Sequence, residues 1–527
     1  MCSVMAQKEK PSYVVTLPLM CSPYEIAILD ERFHQAEHIY NQVLKYAKTR
    51  LFELKRNKEY KKLLKEYSNY KALEEQDFAT CRKEKKKEVS EYTKLKNETS
   101  KKIKDVQLKF KMSEYQLHEY VKAQYQKYKG IDSNTGQKIA TRVWDAVETN
   151  LYGKGKKLHF KKYGQLMSIE GKTNKSGIYF KDGWLTFNKL LLKTKIRDED
   201  LFAKECLANG RIKYCRILKK HIRGKLKFYV QLVFEGFPPP KRRKDGSFRI
   251  KKSPNERVGL DIGPSSLAIV SNKKCILTEL AQGLENYDRQ KRLLLRKLDR
   301  SRRATNKNNY NEDGTIKQGQ KLEWHRSNNY LKTLYKFKDM ERKRVTYRKQ
   351  SHEKLANEIL SLGNEIYIET MNFKALQKRS TKTEISEKTG KFKRKKRFGK
   401  SIGNHAPSSF VEILKRKLKY QGKLLNQVNT TTFKASQFNH VTGEYIKKEL
   451  KDRWNLIKRT KIQRDLYSAF LLMNSQEDLS HTDIELCNQT YEKFRKNHKK
   501  CLDELMNNKN IKLLSSFGLT KKAMNIA

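Results

Sequence analysis

The chain has no closely spaced cysteine pair. Its eight cysteines are scattered through 527 residues without a Cys-x-x-Cys, so neither a zinc ribbon nor a dithiol redox motif is readable. Ordinary thiols in a reducing compartment are the expectation. Long apolar runs are also missing, and none approaches a membrane span. The first ten residues lack the apolar centre of a signal peptide. Both absences lead us to expect a cytoplasmic, nucleoid-associated protein without a membrane partner. Glycine and proline are absent from residues 50–128, which predicts long, solvated helices arranged as a hairpin.

Acidic residues are scarce. Asp and Glu number 58 against 117 Lys and Arg, a formal net charge of +59. Such an excess repels itself in a compact state unless a polyanion neutralises it. It runs from end to end, so a basic tail does not explain it. A long nucleic acid held through its phosphates is the implied partner. A ribosomal or chromatin-like packing protein is the plainer alternative. Hydrophobic residues make up 37% and mean hydropathy is −0.88, lean values that still allow several cores at this length.

Residues 13–19 read as a strand, and Ser22-Pro23 as the start of a helix. Between Gly153 and Phe237 the period shortens to two, with hairpin signals at Asp182-Gly183 and Arg223-Gly224. This predicts a basic, aromatic β region, a small barrel completed by the N-terminal strand. Its aromatics, Tyr179, Phe180, Trp184, Phe228 and Tyr229, suit base stacking or alternate into a β core. Residues 238–246 read as a linker or basic loop. Beyond Val258 three strands are expected, then helices over about 286–301 and 320–362. A lysine-rich loop follows at 379–400, then a helix over 410–425, a strand over 427–432 and a helix from 465. The last fifty residues read as polar helix.

Three acids occupy unusual contexts in this basic chain: Asp261 and Glu369 on apolar strand-like runs, and Asp465 at a helix start. Carboxylates there are costly to bury unless paired or bound to a cation. Together they match two-ion phosphodiester chemistry, in which magnesium takes a few carboxylate oxygens. Singly, each has an ordinary reading. Asp261 precedes Gly-Pro as turn formers do; Glu369 fits a strand-end surface charge; Asp465 fits a helix N-terminal residue complementing the dipole.

These segments resemble the split RuvC motifs of TnpB proteins, transposon-encoded RNA-guided DNA endonucleases related to type V CRISPR effectors. Gly259-Leu-Asp261-Ile-Gly263 is similar to the first motif, Ile366-Tyr-Ile-Glu369-Thr-Met-Asn372 to the second and Gln463-Arg464-Asp465-Leu-Tyr-Ser-Ala469 to the third. Tyr40-Asn41 and Lys434-Ala-Ser-Gln437 also match the family's order. The resemblance implies a multidomain α/β protein: an RNase H-like RuvC nuclease domain with a helical insertion, a small β-barrel (wedge) domain and an α-helical recognition domain. The implied boundaries are 1–21 and 150–255 for the barrel and 22–149 for the recognition helices. They are 256–474 for the nuclease, with its insertion at about 283–362 and basic loop at about 374–405, and 475–527 for a C-terminal helical tail. It implies a guide RNA and double-stranded target DNA as partners, Mg2+ (two ions) as cofactor, and Asp261, Glu369 and Asp465 as catalytic metal ligands.

Two departures stand out. The family's usual four zinc-finger cysteines are absent after Ser436-Gln437, so zinc is not expected, and His440, alone there, reads as an ordinary polar residue. Gln463 and Tyr467 stand where the family often has Asp and Asn. The alternatives are a nuclease-inactive RNA-guided DNA-binding repressor, a type V CRISPR effector and a transposase accessory protein. The loop at 379–400 reads either as a flap, through Lys391, Arg394, Lys395 and Lys396, or as a solvated loop.

Overall fold

A computed structural model describes residues 11–519, apart from 85–90, 154, 156, 244, 248–252, 286, 380, 382, 387–389, 391, 393–397, 450–451 and 509–512. The chain divides into two compact units, Met1–Pro239 and Pro240–Ala527.

Among the described residues, the first unit combines seven strands and six helices. The strands are β1 (Ser12–Met20), β2 (Ser168–Glu170), β3 (Ile178–Lys181), β4 (Trp184–Phe187), β5 (Leu190–Thr194), β6 (Ile212–Ile222) and β7 (Lys225–Glu235). They form one antiparallel sheet in the order β2-β6-β7-β1-β5-β4-β3. The N-terminal strand therefore lies at the centre, with Tyr13, Val15, Leu17 and Leu19 facing inward. Both expected hairpin turns are present, at Asp182-Gly183 (φ 48° and 84°) and Arg223-Gly224 (φ 51° and 77°). Two successive positive φ values match the right-handed twist of the flanking strands.

The helices are α1 (Pro23–Arg56), α2 (Lys58–Glu84), α3 (Glu91–Lys109), α4 (Glu114–Tyr125), α5 (Ser133–Leu151) and α6 (Leu201–Asn209). Ser22 and Glu25 form a reciprocal capping box at the start of α1. The Glu74–Lys96 ion pair and the Tyr60–Gln107 contact run α2 and α3 antiparallel, as the expected hairpin requires. Asn41 accepts from the Lys161 N–H and donates to its C=O, both at 2.8 Å, pinning an extended segment to α1.

The second unit is built on a mixed sheet. Its strands are β8 (Arg257–Ile262), β9 (Ser266–Ser271), β10 (Cys275–Glu279), β11 (Glu365–Glu369) and β12 (Asn426–Val428), in the order β10-β9-β8-β11-β12. The first three run antiparallel, and β11 and β12 continue parallel to β8. A hairpin of β13 (Trp454–Ile457) and β14 (Thr460–Gln463) stands apart from that sheet.

Helices α7 (Asp288–Thr305) and α8 (Asn328–Leu362) follow β10, with Lys291 paired to Glu341 at 2.8 Å. Helix α8 starts later than periodicity implies, because Ser327 caps it by accepting from the Tyr330 N–H. Beyond β11 come α9 (Phe373–Leu376), α10 (Gly399–His405), α11 (Pro407–Lys419), α12 (Thr430–Phe433), α13 (Arg464–Met473) and α14 (Ile484–Asn507). Half of the basic loop at 379–400 falls outside the described residues, including positions 391 and 394–396.

Each face of the mixed sheet has its own core. Val258, Leu260, Ile262, Ile366 and Ile368 pack under Ala356, Ile359 and Leu360 of α8 and Phe410, Ile413 and Leu414 of α11. Ala268, Val270, Tyr367 and Val428 pack under α13 and α14 on the other side. The polar-looking C-terminal stretch is thus structural. Cys487, Tyr491, Phe494, Cys501, Leu502 and Leu505 of α14 bury a helical stripe, and Phe517 and Leu519 close the same core. No described helix is long and apolar enough to cross a membrane.

Candidate carboxylate site

Asp261 lies on β8, the middle strand of the mixed sheet. Side chains alternate along a strand, so Arg257, Gly259 and Asp261 share the face that α13 covers. Strand β11 pairs Tyr367 with Gly259 and Ile368 with Leu260. Carried one residue further, that register sets Glu369 beside Asp261. Asp465 falls in the first turn of α13, where Gln463 caps the helix by accepting from the Leu466 N–H at 2.8 Å.

What brings α13 onto β8 is a missing side chain. A Cβ on Gly259 would stand 1.9 Å from the Ala469 carbonyl oxygen and 2.5 Å from the Met473 nitrogen. Backbone packs on backbone there, which only glycine permits. The close approach sets the N-terminal turn of α13 over the end of the sheet that carries Asp261 and Glu369.

The electrostatics agree with this placement. All three carboxylates are partly exposed, yet their surroundings are densely packed. Burial, then the negative charges of Asp465 and Glu369, push the Asp261 carboxyl well above the usual range. Burial raises Glu369, against a hydrogen bond from the Ala435 N–H that favours its charged form. Burial also raises Asp465, opposed by the Arg453 and Arg464 guanidiniums and a Gln463 hydrogen bond. Three carboxylates face two guanidiniums here, so the fully ionised cluster holds more negative charge than its arginines offset.

The three side chains interact without closing on a common point. Among the described residues, no group of three or more His, Cys, Asp or Glu converges closely enough to hold one metal ion. The donor set nevertheless suits a hard divalent cation, since carboxylate oxygens and an uncompensated negative field are what Mg2+ takes. Arg464 stays oriented by the Glu449 and Asp452 carbonyls (3.1 and 3.2 Å), with its Nε 3.9 Å from Asp465. A separate cavity of about 630 Å3 in this unit, lined partly by Lys274, Glu279, Glu285 and His405, includes none of the three carboxylates.

Sequence reasoning missed several contributors. Gly259 was part of a motif, but its role is the contact with α13. Arg453 lies beside the β13–β14 hairpin, whose Lys458-Arg459 turn (φ 44° and 61°) carries no glycine or asparagine signal. His440 read as an ordinary polar residue. It is 1% exposed, its N–H donates to the Tyr467 hydroxyl at 3.1 Å, and its Nδ1 lies 2.7 Å from the same oxygen.

The aromatics of the first unit divide by strand alternation. Phe180 and Phe228 are core residues, whereas Trp184 is 43% exposed with the Lys193 ammonium 5.9 Å from its ring centre. Tyr229 is half-buried, with the Lys220 ammonium 4.6 Å from its ring centre.

No family model matches the chain, and no curated protein does. Among solved structures, it aligns with the protein of a Cas12f1–sgRNA–target DNA complex at 12% identity and a TM-score of 0.42, covering 88% of this chain and 99% of that one. It aligns with the protein of a CRISPR-Cas12f ternary complex at 13% identity and a TM-score of 0.24, covering 86% and 82%. Alignments this loose assign no role to any residue.

Proposed function

We propose that this protein is an RNA-guided DNA endonuclease of the TnpB type, with Asp261, Glu369 and Asp465 as its catalytic metal ligands. The observation that carries the reading is geometric: the β8–β11 register sets Glu369 beside Asp261, and the close contact of α13 on Gly259 brings the helix turn bearing Asp465 toward the same end of the mixed sheet. The net charge of +59 supports a polyanionic partner. The three motif resemblances, in order along the chain, support guide RNA and double-stranded target DNA as that partner.

Divalent cations at such a site, when bound, supply an activated water and a stabilised leaving oxygen for in-line hydrolysis of a phosphodiester. The chain's contribution is to hold the ligands. Asp261 is fixed by strands on both sides, Glu369 by the pairing of β11 with β8 and β12, and Asp465 by a capped helix start. Arg453 and Arg464 offset part of the negative charge and keep the cluster tolerable before the cation arrives.

The test is a guided cleavage assay with matched plasmid, Mg2+ and RNA recovered from the freshly purified protein. Linear product from the parent, and none from Asp261→Ala with guided binding retained, is the expected result. Undiminished cleavage by Asp261→Ala removes the assignment. A second reading, a guided DNA binder whose nuclease has decayed, is favoured by one observation: the carboxylates do not converge on a single ion position. A stable footprint on matched DNA without cutting by the parent would select it.

A further inference from the structure

The segment between β12 and β13 leaves the mixed sheet beside Glu369, because β12 pairs Val428 with that residue. Asn429 caps the short helix α12 by accepting from the Thr431 N–H at 2.9 Å. Lys434 then adopts a left-handed conformation (φ 46°), and Phe433 and Ala435 are fully buried on either side of it. A tight hairpin follows, closed by the bridge between Phe438 and Tyr445, whose ring centres are 4.8 Å apart. Gly443 (φ 72°) turns the chain back.

His440 sits within that hairpin and is driven into the core. Its ring packs 5.2 Å from Tyr491 and 5.7 Å from Phe470, centre to centre. The Tyr467 hydroxyl accepts the His440 N–H and shares a proton with its Nδ1. Tyr467 is two residues beyond Asp465 in the first turn of α13. One segment therefore leaves the sheet beside Glu369 and grips the turn that presents Asp465. A phenol buried at 1% exposure keeps such a partner, because losing it strands a polar group in an apolar core.

We infer that residues 434–445 form a positioning clamp on the carboxylate site, with His440 and Tyr467 as positioning residues that set the distance between Asp465 and Glu369. The inference rests on the reading under Proposed function. Groups that orient metal ligands without touching the metal commonly change affinity about 10–100-fold when removed. The clamp is thus a determinant of how tightly the site takes divalent cations, and it acts through the backbone of α13.

The experiment titrates full-length protein with Mn2+ and follows the free-ion EPR signal, with melting temperature recorded for every variant. The parent is expected to bind Mn2+ and Asp261→Ala to lose that binding. Tyr467→Phe, which keeps the ring and deletes only the hydroxyl, is expected to weaken Mn2+ binding about tenfold. His440→Asn, which keeps the backbone N–H, is expected to weaken it less. Phe494→Leu loosens the same core away from the clamp and is expected to bind Mn2+ like the parent.

Tyr467→Phe and His440→Asn both binding like the parent, while Asp261→Ala loses the ion, overturns the clamp and leaves the site standing. No difference between the parent and Asp261→Ala overturns the site and the clamp with it. Equal weakening by Phe494→Leu and Tyr467→Phe assigns the effect to core stability and also overturns the clamp. Should Tyr467→Phe fail to fold, His440→Asn carries the same comparison.

Discussion

The two large sheets of this molecule handle burial differently. In the seven-stranded sheet, β1 alternates, with Val15 and Leu17 inward and Val14 and Thr16 outward. In the five-stranded sheet, β9 is buried at every one of its six positions, because helices cover both faces. A polar side chain on the first sheet can turn to water at little cost. On the second it must be satisfied or cost several kcal/mol. Lys and Arg therefore populate the first sheet freely and signify little there individually. Asp261 and Glu369 on the second are the anomaly that calls for a chemical explanation.

Substitutions matched across the two sheets test that contrast. The largest effect is expected at Gly259. Gly259→Val would drive branched carbons into the Ala469 carbonyl and should cost more than about 3 kcal/mol, separating α13 from β8. Gly183 in the first sheet has a positive φ of 84° but open space around it, so Gly183→Ala should cost only about 1–2 kcal/mol. Thermal or urea denaturation compares the two directly, and equal costs would break the contrast.

Asp261→Asn comes next. A carboxyl whose pKa is raised in the folded state stabilises that state only at low pH and loses the contribution as pH rises through the raised value. In EDTA at neutral pH, Asp261→Asn should therefore stabilise the second unit, read as a higher melting temperature than the parent. Adding Mg2+ should raise the melting temperature of the parent and not that of the variant. A variant less stable than the parent in EDTA would show that the charge is compensated without a cation.

A third difference concerns acid. In the second unit, burial holds His352, His440 and His498 down at about 4. Both ring nitrogens of His352 lack a hydrogen-bond partner. A depressed folded pKa contributes stability that is complete above the unfolded value of about 6.5 and is lost as pH falls toward the folded one. Hydrogen exchange at pH 5 should then open peptides around these histidines before β1, β6 and β7 of the first unit. Simultaneous opening would remove the distinction.

The smallest effect belongs to the first sheet's surface. Trp184→Ala should leave folding unchanged and weaken nucleic-acid binding by about 1 kcal/mol, to a similar extent at low and high salt because stacking is not screened. Binding isotherms at two ionic strengths measure it.

Much of the fold was legible where a residue acts on its immediate neighbours. Ser22-Pro23 started a helix, and Asp182-Gly183 and Arg223-Gly224 turned hairpins, because capping and positive φ are local chemistry. The β13–β14 hairpin was not, since Lys458 and Arg459 adopt positive φ without the residues that signal it. The buried stripe from Cys487 to Leu505 was readable at helical spacing but masked by the lysines and glutamates around it. The unusual contexts of Asp261, Glu369 and Asp465 showed in the sequence. The roles of Gly259, Ala435, His440 and Arg453 did not, because each consists of a contact with a distant segment.

The amino-acid sequence alone determined the charge, the alternation and caps that make each element, and which acids sit where acids are costly. Only the tertiary structure decided that β11 lies parallel beside β8, that α13 rests its backbone on Gly259, and that one hairpin carries His440 to Tyr467. The reason is physical. Secondary structure follows from interactions a few residues apart, whereas a cluster of like charges depends on packing strong enough to hold together groups that repel.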